Sequence, residues 1–139
     1  MGVGTGGTLT GVACSLKAKK ADVQIVAVEP EDSPVISGGS HSPHMIQGIG
    51  AGFIPPVLDT DLIDGIEQIS NDDAIDAAKS MATSEGIPCG ISFGAAVAAA
   101  LRVAARDGMK GKTVVAIVPD FAERYMSSIL FDGMDILDD

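Results

Sequence analysis

The sequence predicts an α/β domain organised on a parallel sheet. Three observations carry this reading. A glycine-rich loop runs into a helical apolar spacing and then into a β-branched run, which is most of a βαβ unit. A second helix, bounded by a serine cap and a glycine stop, stands in the middle of the chain. The continuous apolar segment 113–118 has the composition of a strand covered on both faces.

Taken in order, the chain opens on Gly2-Val3-Gly4-Thr5-Gly6-Gly7-Thr8, with no strand expected in front of it. Leu9, Val12, Ala13 and Leu16 then recur at offsets of three, four and seven, which predicts a helix over 8–20. Lys17, Lys19 and Lys20 gather at its negative end, where the helix dipole favours cations. Residues 23–28 form a β-branched run that reads as a buried strand stopped by Glu29-Pro30. Residues 31–61 are rich in Gly, Ser and Pro and long for a connector, so they read either as an active-site loop or as poorly ordered. A short strand is expected over 64–69. Ser70, with Asp72 and Asp73 in the first turn, caps a helix carrying Ile75, Ala78, Met81 and Ala82 on one face, and Gly86 ends it. Residues 93–106 are nearly all small or apolar, which predicts a buried helix. Pro119 closes the strand over 113–118, and a short helix over 123–128 and an acidic tail over 132–139 complete the chain.

Composition narrows the function. The 139 residues suit one domain or part of one. Nine basic against nineteen acidic side chains give a net charge of −10, which leaves no basic stripe for nucleic acid phosphates or an anionic membrane surface. No apolar run approaches the roughly 20 residues of a membrane span, and the first residues lack the features of a signal peptide, so the cytoplasm is the expected location. Cys14 and Cys89 have no metal-type spacing and read as buried small hydrophobes, while His41 and His44 read as solvent-facing.

Gly4, Gly6 and Gly7 let the backbone turn sharply, so that several N–H groups point into one concavity at a helix N-terminus. That is an anion site suited to phosphate, to which Thr5 and Thr8 add hydroxyls; an ordinary helix-capping turn explains the same glycines. No Gly-Lys-Ser or Gly-Lys-Thr follows, which excludes a triphosphatase P-loop. Gly2, Gly4 and Gly7 also satisfy G-x-G-x-x-G, and Glu29 ends the next strand where a dinucleotide ribose partner belongs. The loop alone leaves both ligands open, although the dinucleotide reading gives no task to the chain's other glycine segments.

Those segments carry a resemblance. Gly4-Thr5-Gly6-Gly7-Thr8, Gln47-Gly48-Ile49-Gly50-Ala51-Gly52-Phe53-Ile54-Pro55 and Gly90-Ile91-Ser92-Phe93-Gly94-Ala95-Ala96, with Glu29 to Val35, Ser37-Gly38-Gly39 and Glu123-Arg124-Tyr125, together resemble cysteine synthase, or O-acetylserine sulfhydrylase. The resemblance implies a three-layer, parallel-sheet sandwich of pyridoxal phosphate fold type II. It implies that Gly4, Thr5, Gly6, Gly7 and Thr8 hold the phosphate of pyridoxal 5'-phosphate, and that Ser92 hydrogen-bonds the pyridine nitrogen. A neutral hydroxyl there leaves the ring a weaker electron sink than a carboxylate would, which favours β-elimination. Capping of the helix beginning at Phe93 explains Ser92 equally simply. Gly48 is the residue implied on the substrate side, and Pro119 falls where an open α/β sheet places ligand contacts.

Met45 stands where the family usually has lysine, and Phe93 replaces the second serine of a common Ser-Ser-Gly; its bulk beside Ser92 is expected to shift the ring position or the helix start. The lysine that binds the cofactor covalently and the asparagine loop for the substrate carboxylate belong to an N-terminal half. Lys17, Lys19, Lys20, Lys79, Lys110 and Lys112 all read as solvated surface charges. The chain therefore reads as the C-terminal, phosphate-binding portion of such an enzyme, truncated at its N-terminus and inactive alone; the alternatives are a dinucleotide-binding fragment or a non-catalytic assembly fragment. The resemblance implies O-acetylserine and sulfide as substrates and the C-terminus of serine acetyltransferase as a partner. An exposed edge along 23–28 is expected to drive homo-oligomerisation or domain swapping.

Overall fold

A computed structural model describes residues 1–132. In chain order it contains α1 (Gly7–Lys19), β1 (Val26–Pro30), a 3-10 turn (Thr60–Leu62), β2 (Gly65–Ile69), α2 (Asn71–Glu85), α3 (Ile91–Ala104) and a second 3-10 turn (Ala122–Tyr125). β1 and β2 pair in parallel, with Val26 opposite Gly65 and Pro30 opposite Ile69. Along the other edge of β1 the first residues of the chain run parallel: Gly2 bridges Val28, the Val3 N–H donates to the Val28 carbonyl at 3.1 Å, and the Val28 N–H donates to the Met1 carbonyl at 2.9 Å. The glycine loop thus does follow a paired, extended segment. The edge of β1 expected to lie open is occupied for the same reason.

Side chains alternate across this short sheet and feed two cores. Ile25 and Ala27 join Val3, Leu9, Ala13 and Leu58 on the α1 side. Val28 and Ile69 join Ile75, Ala78, Ala95 and Ala99 on the side of α2 and α3. Helix, sheet and helices make the three expected layers.

α2 begins where its sequence says it should. Ser70 is the N-cap, its Oγ accepting from the Asp73 N–H at 3.1 Å, and Gly86 ends the helix in the left-handed conformation at φ 66°. α3 starts at Ile91, two residues before the predicted boundary, with Gly90 as N-cap. It is enclosed as far as Ala99 and open beyond it, since Leu101 is 65% exposed. Small residues permit the close crossing of α2 and α3: a Cβ on Gly94 would overlap the Ala74 carbonyl oxygen and stand 2.8 Å from Ala78 Cβ.

Several expectations fail for identifiable reasons. Segment 113–118 forms no strand, and Val115 is 75% exposed. Its composition is that of a buried strand, but a strand exists only within a ladder, and the backbone of 113–118 meets no partner among the described residues. β1 begins at Val26 and runs through Glu29-Pro30 instead of stopping there; proline is tolerated at that last pair because a strand end needs no N–H from it. Cys14 lies on the exposed side of α1, whereas Cys89 is buried as expected. The acidic tail, apart from exposed Asp132, lies outside the described residues.

Two predictions follow from this packing. Gly94→Ala is expected to destabilise the chain by about 3 kcal/mol, read from urea melting, because α2 and α3 must separate to admit the methyl group. In thiol titration of the folded chain, Cys14 is expected to react at once and Cys89 only on unfolding.

Candidate functional site

α1 presents an open N-terminus. Its N-cap is Gly6, at φ 85°, with no side-chain cap bond and no acidic residue in the first turn. The first amides of a helix have no intrahelical acceptor, so they remain available to an anion. Glycine is required at Gly6 both by the positive φ and by Leu58, whose Cβ would lie 2.6 Å from an added methyl group.

The segment around Gly48 closes over this turn. The Gly50 N–H donates to the Val3 carbonyl at 3.0 Å, and a Cβ on Gly4 would overlap the Gly48 carbonyl oxygen. Gly48 itself, at φ 92°, stands beside Ser92, with the Ser92 Oγ 4.0 Å from where its Cβ would be. A cavity of about 470 Å³ lies where these segments converge. Met1, Gly2, Gly4, Thr5, Gly6, Thr8 and Leu9 line one side, Gly48 and Ile49 another, and Ser92, Ala96, Ile117, Pro119, Asp120 and Arg124 the rest. Six predicted site residues, Gly4, Thr5, Gly6, Thr8, Gly48 and Ser92, therefore share one space. Gly7, the first residue of α1, is not on its wall. Neither is any lysine.

Ser92 is 5% exposed and sits at the second position of α3. It is not the cap, because the Gly90 carbonyl accepts the first bonds, from Phe93 and Gly94 at 3.1 and 3.2 Å. Phe93 turns into the α2–α3 core and is not on the cavity wall.

Glu29 cannot serve a ribose. It is 1% exposed, and its carboxylate accepts from the Ile36 N–H at 2.8 Å, the Ser37 N–H at 3.2 Å and the Ser37 hydroxyl. Both oxygens are spent on holding the 35–38 turn, which removes the acidic residue from the dinucleotide fingerprint. His41 is exposed as expected, but His44 is half-buried, its Nε2 3.1 Å from the Gly50 carbonyl and its Nδ1 buried without a partner. Met45, in the usual lysine position, is exposed, and its N–H donates to Asn71 Oδ1 at 2.8 Å.

Sequence reasoning missed Asp120 and Ile117 and gave Arg124 no task. Their signal was closeness in sequence to Pro119, which lines the same cavity. Asp120 accepts a hydrogen bond from the Tyr125 hydroxyl. Burial first, and then Asp120, push that hydroxyl up to about 12. Burial also raises the Cys89 thiol, which keeps it protonated and unreactive near neutrality.

Residues 1–120 match the family described as pyridoxal-phosphate dependent enzyme, and the chain belongs to that family. It is 52% identical over 134 residues to cysteine synthase of Staphylococcus aureus, covering 96% of this chain and 43% of that protein. The crystal structure of cysteine synthase from Entamoeba histolytica superposes with a TM-score of 0.93 at 46% identity, over 99% of this chain and 40% of that one. An O-acetylserine dependent cystathionine beta-synthase from Helicobacter pylori superposes with a TM-score of 0.85 at 41% identity, over 94% and 42% of the two chains. The fold is that of these enzymes, and the chain spans less than half of their length.

The Tyr125 environment predicts a stability signature. A free tyrosine ionises near pH 10, so the folded chain holds this proton more tightly than the unfolded one. The resulting stability is complete below about pH 10 and is lost as pH rises towards 12. Urea melts from pH 8 to 12 are expected to show that decline, and Tyr125→Phe to flatten it.

Proposed function

We propose that the chain is the C-terminal, phosphate-binding portion of a pyridoxal phosphate-dependent cysteine synthase, which converts O-acetyl-L-serine and sulfide into L-cysteine and acetate. One observation carries the reading: the uncapped glycine turn, Gly48 and Ser92 border a single cavity. The wall suits this cofactor chemically. Its phosphate end has free helix amides, the hydroxyls of Thr5 and Thr8 and no carboxylate in the first turn of α1, while Ser92 supplies a neutral hydroxyl to the ring end.

In this reading the amides and hydroxyls of Gly4, Thr5, Gly6 and Thr8 bind the phosphate, and Gly7, off the cavity wall, contributes only its backbone as the first residue of α1. Ser92 orients the ring through its nitrogen without donating negative charge. Gly48 borders the substrate side, where a larger residue would fill the space next to Ser92. Bound pyridoxal phosphate supplies the electron sink for β-replacement. The covalent lysine comes from the remaining part of the enzyme, so this portion binds without turning over substrate. Two free thiols suit the reducing cytoplasm as its place of action. Exposed Leu101, Val115 and Phe121 favour a homo-oligomer or domain-swapped pair, and the C-terminus of serine acetyltransferase is the partner the family suggests.

Titration by absorbance tests the cofactor. Pyridoxal phosphate is expected to bind, pyridoxal lacking the phosphate to bind far more weakly, and NAD not at all. Ser92→Ala is expected to weaken the first by roughly fivefold, the worth of one hydrogen bond of about 1 kcal/mol. Equal affinity for the two pyridoxal compounds, or preferential binding of NAD, overturns the assignment.

A further inference from the structure

Two stretches of chain, 88–92 and 119–125, meet at the wall that carries Ser92. The Ala122 N–H donates to the Pro88 carbonyl at 3.2 Å, and the Gly90 N–H reaches the Asp120 carbonyl at 3.4 Å. Cys89 and Phe121 form an isolated antiparallel bridge between these bonds. The Asp120 side chain completes the strap: Oδ2 accepts from the Tyr125 hydroxyl, and Oδ1 is buried without a partner against Gly90. A Cβ on Gly90 would overlap that oxygen and stand 2.6 Å from Tyr125 Cε2, so the cap of α3 is seated directly on this pair.

α3 needs such a seat. It has neither a side-chain cap bond nor an acidic residue in its first turn, and Ser92 lies only two positions inside it. Helix ends fray, so an uncapped first turn leaves the hydroxyl poorly aimed. The Asp120 carboxylate brings, from elsewhere in the chain, the negative charge that the start of a helix favours.

We infer that Asp120, held by Tyr125, is a positioning residue that fixes the first turn of α3 and thereby the direction in which Ser92 presents its hydroxyl to the cavity. This rests on the proposed role of Ser92 toward the cofactor ring, and the two are separable by experiment. Hydrogen exchange on the full chain reads the strap without any ligand. In Tyr125→Phe and in Asp120→Asn, the amides of Gly90, Phe93 and Gly94 are expected to exchange about tenfold faster, with those of α1 unchanged. Pyridoxal phosphate affinity reads the consequence: each substitution is expected to weaken binding roughly threefold with Ser92 present and to add nothing in a Ser92→Ala background. Uniform acceleration across the chain, or the same loss of affinity in both backgrounds, overturns the inference in favour of general destabilisation. If the unsubstituted chain binds no pyridoxal phosphate, the functional reading fails, and the exchange pattern alone decides whether the strap holds α3.

Discussion

The arrangement depends on backbone meeting backbone without side chains between. Gly4 lies against the Gly48 carbonyl so closely that a single methyl group would not fit, and Gly6 lies against Leu58 in a conformation that other residues rarely adopt. These approaches fold the 47–52 segment over the start of α1. Were Gly4 larger, the turn and the covering loop would separate, and the cavity would lose one wall. Glycine's conformational freedom makes such turns costly in chain entropy. The two cores on either side of the short sheet offset that cost by fixing β1, from which both segments are hung.

Charge is distributed to suit such a site despite the acid excess. Glu29 is committed to the Ile36 and Ser37 amides away from the cavity wall, and Asp120, on the far part of that wall, accepts from Tyr125 through Oδ2. The first turn of α1 carries none. An anion entering there meets oriented amides instead of repulsion, although the chain as a whole is strongly negative.

Much of this was legible in the sequence because it is local. Ser70 and Gly86 bound α2 through bonds made within four residues, and the glycine turn advertises its own geometry. What was illegible depends on distant neighbours. Residues 113–118 have a strand's composition but no ladder among the described residues, and nothing in six residues records whether partners exist. Cys14 faces outward because of how α1 is rotated on the sheet, and His44 is half-buried because Gly50 returns to it. The boundary of α3 shifted because Gly90, seated on Asp120 from 30 residues away, starts the helix before Ser92 does. Within the site, Gly4, Thr5, Gly6, Thr8 and Ser92 line one cavity, whereas Asp120 joins them only because the fold brings its segment alongside.

The cavity wall is assembled from four places along the chain, near residues 4, 48, 92 and 119. No two of them are joined by local structure, so the concavity exists only after the long-range loops have closed. Its appearance during refolding would therefore mark the last, topologically slow stage of folding, well after α1 and α2 have formed.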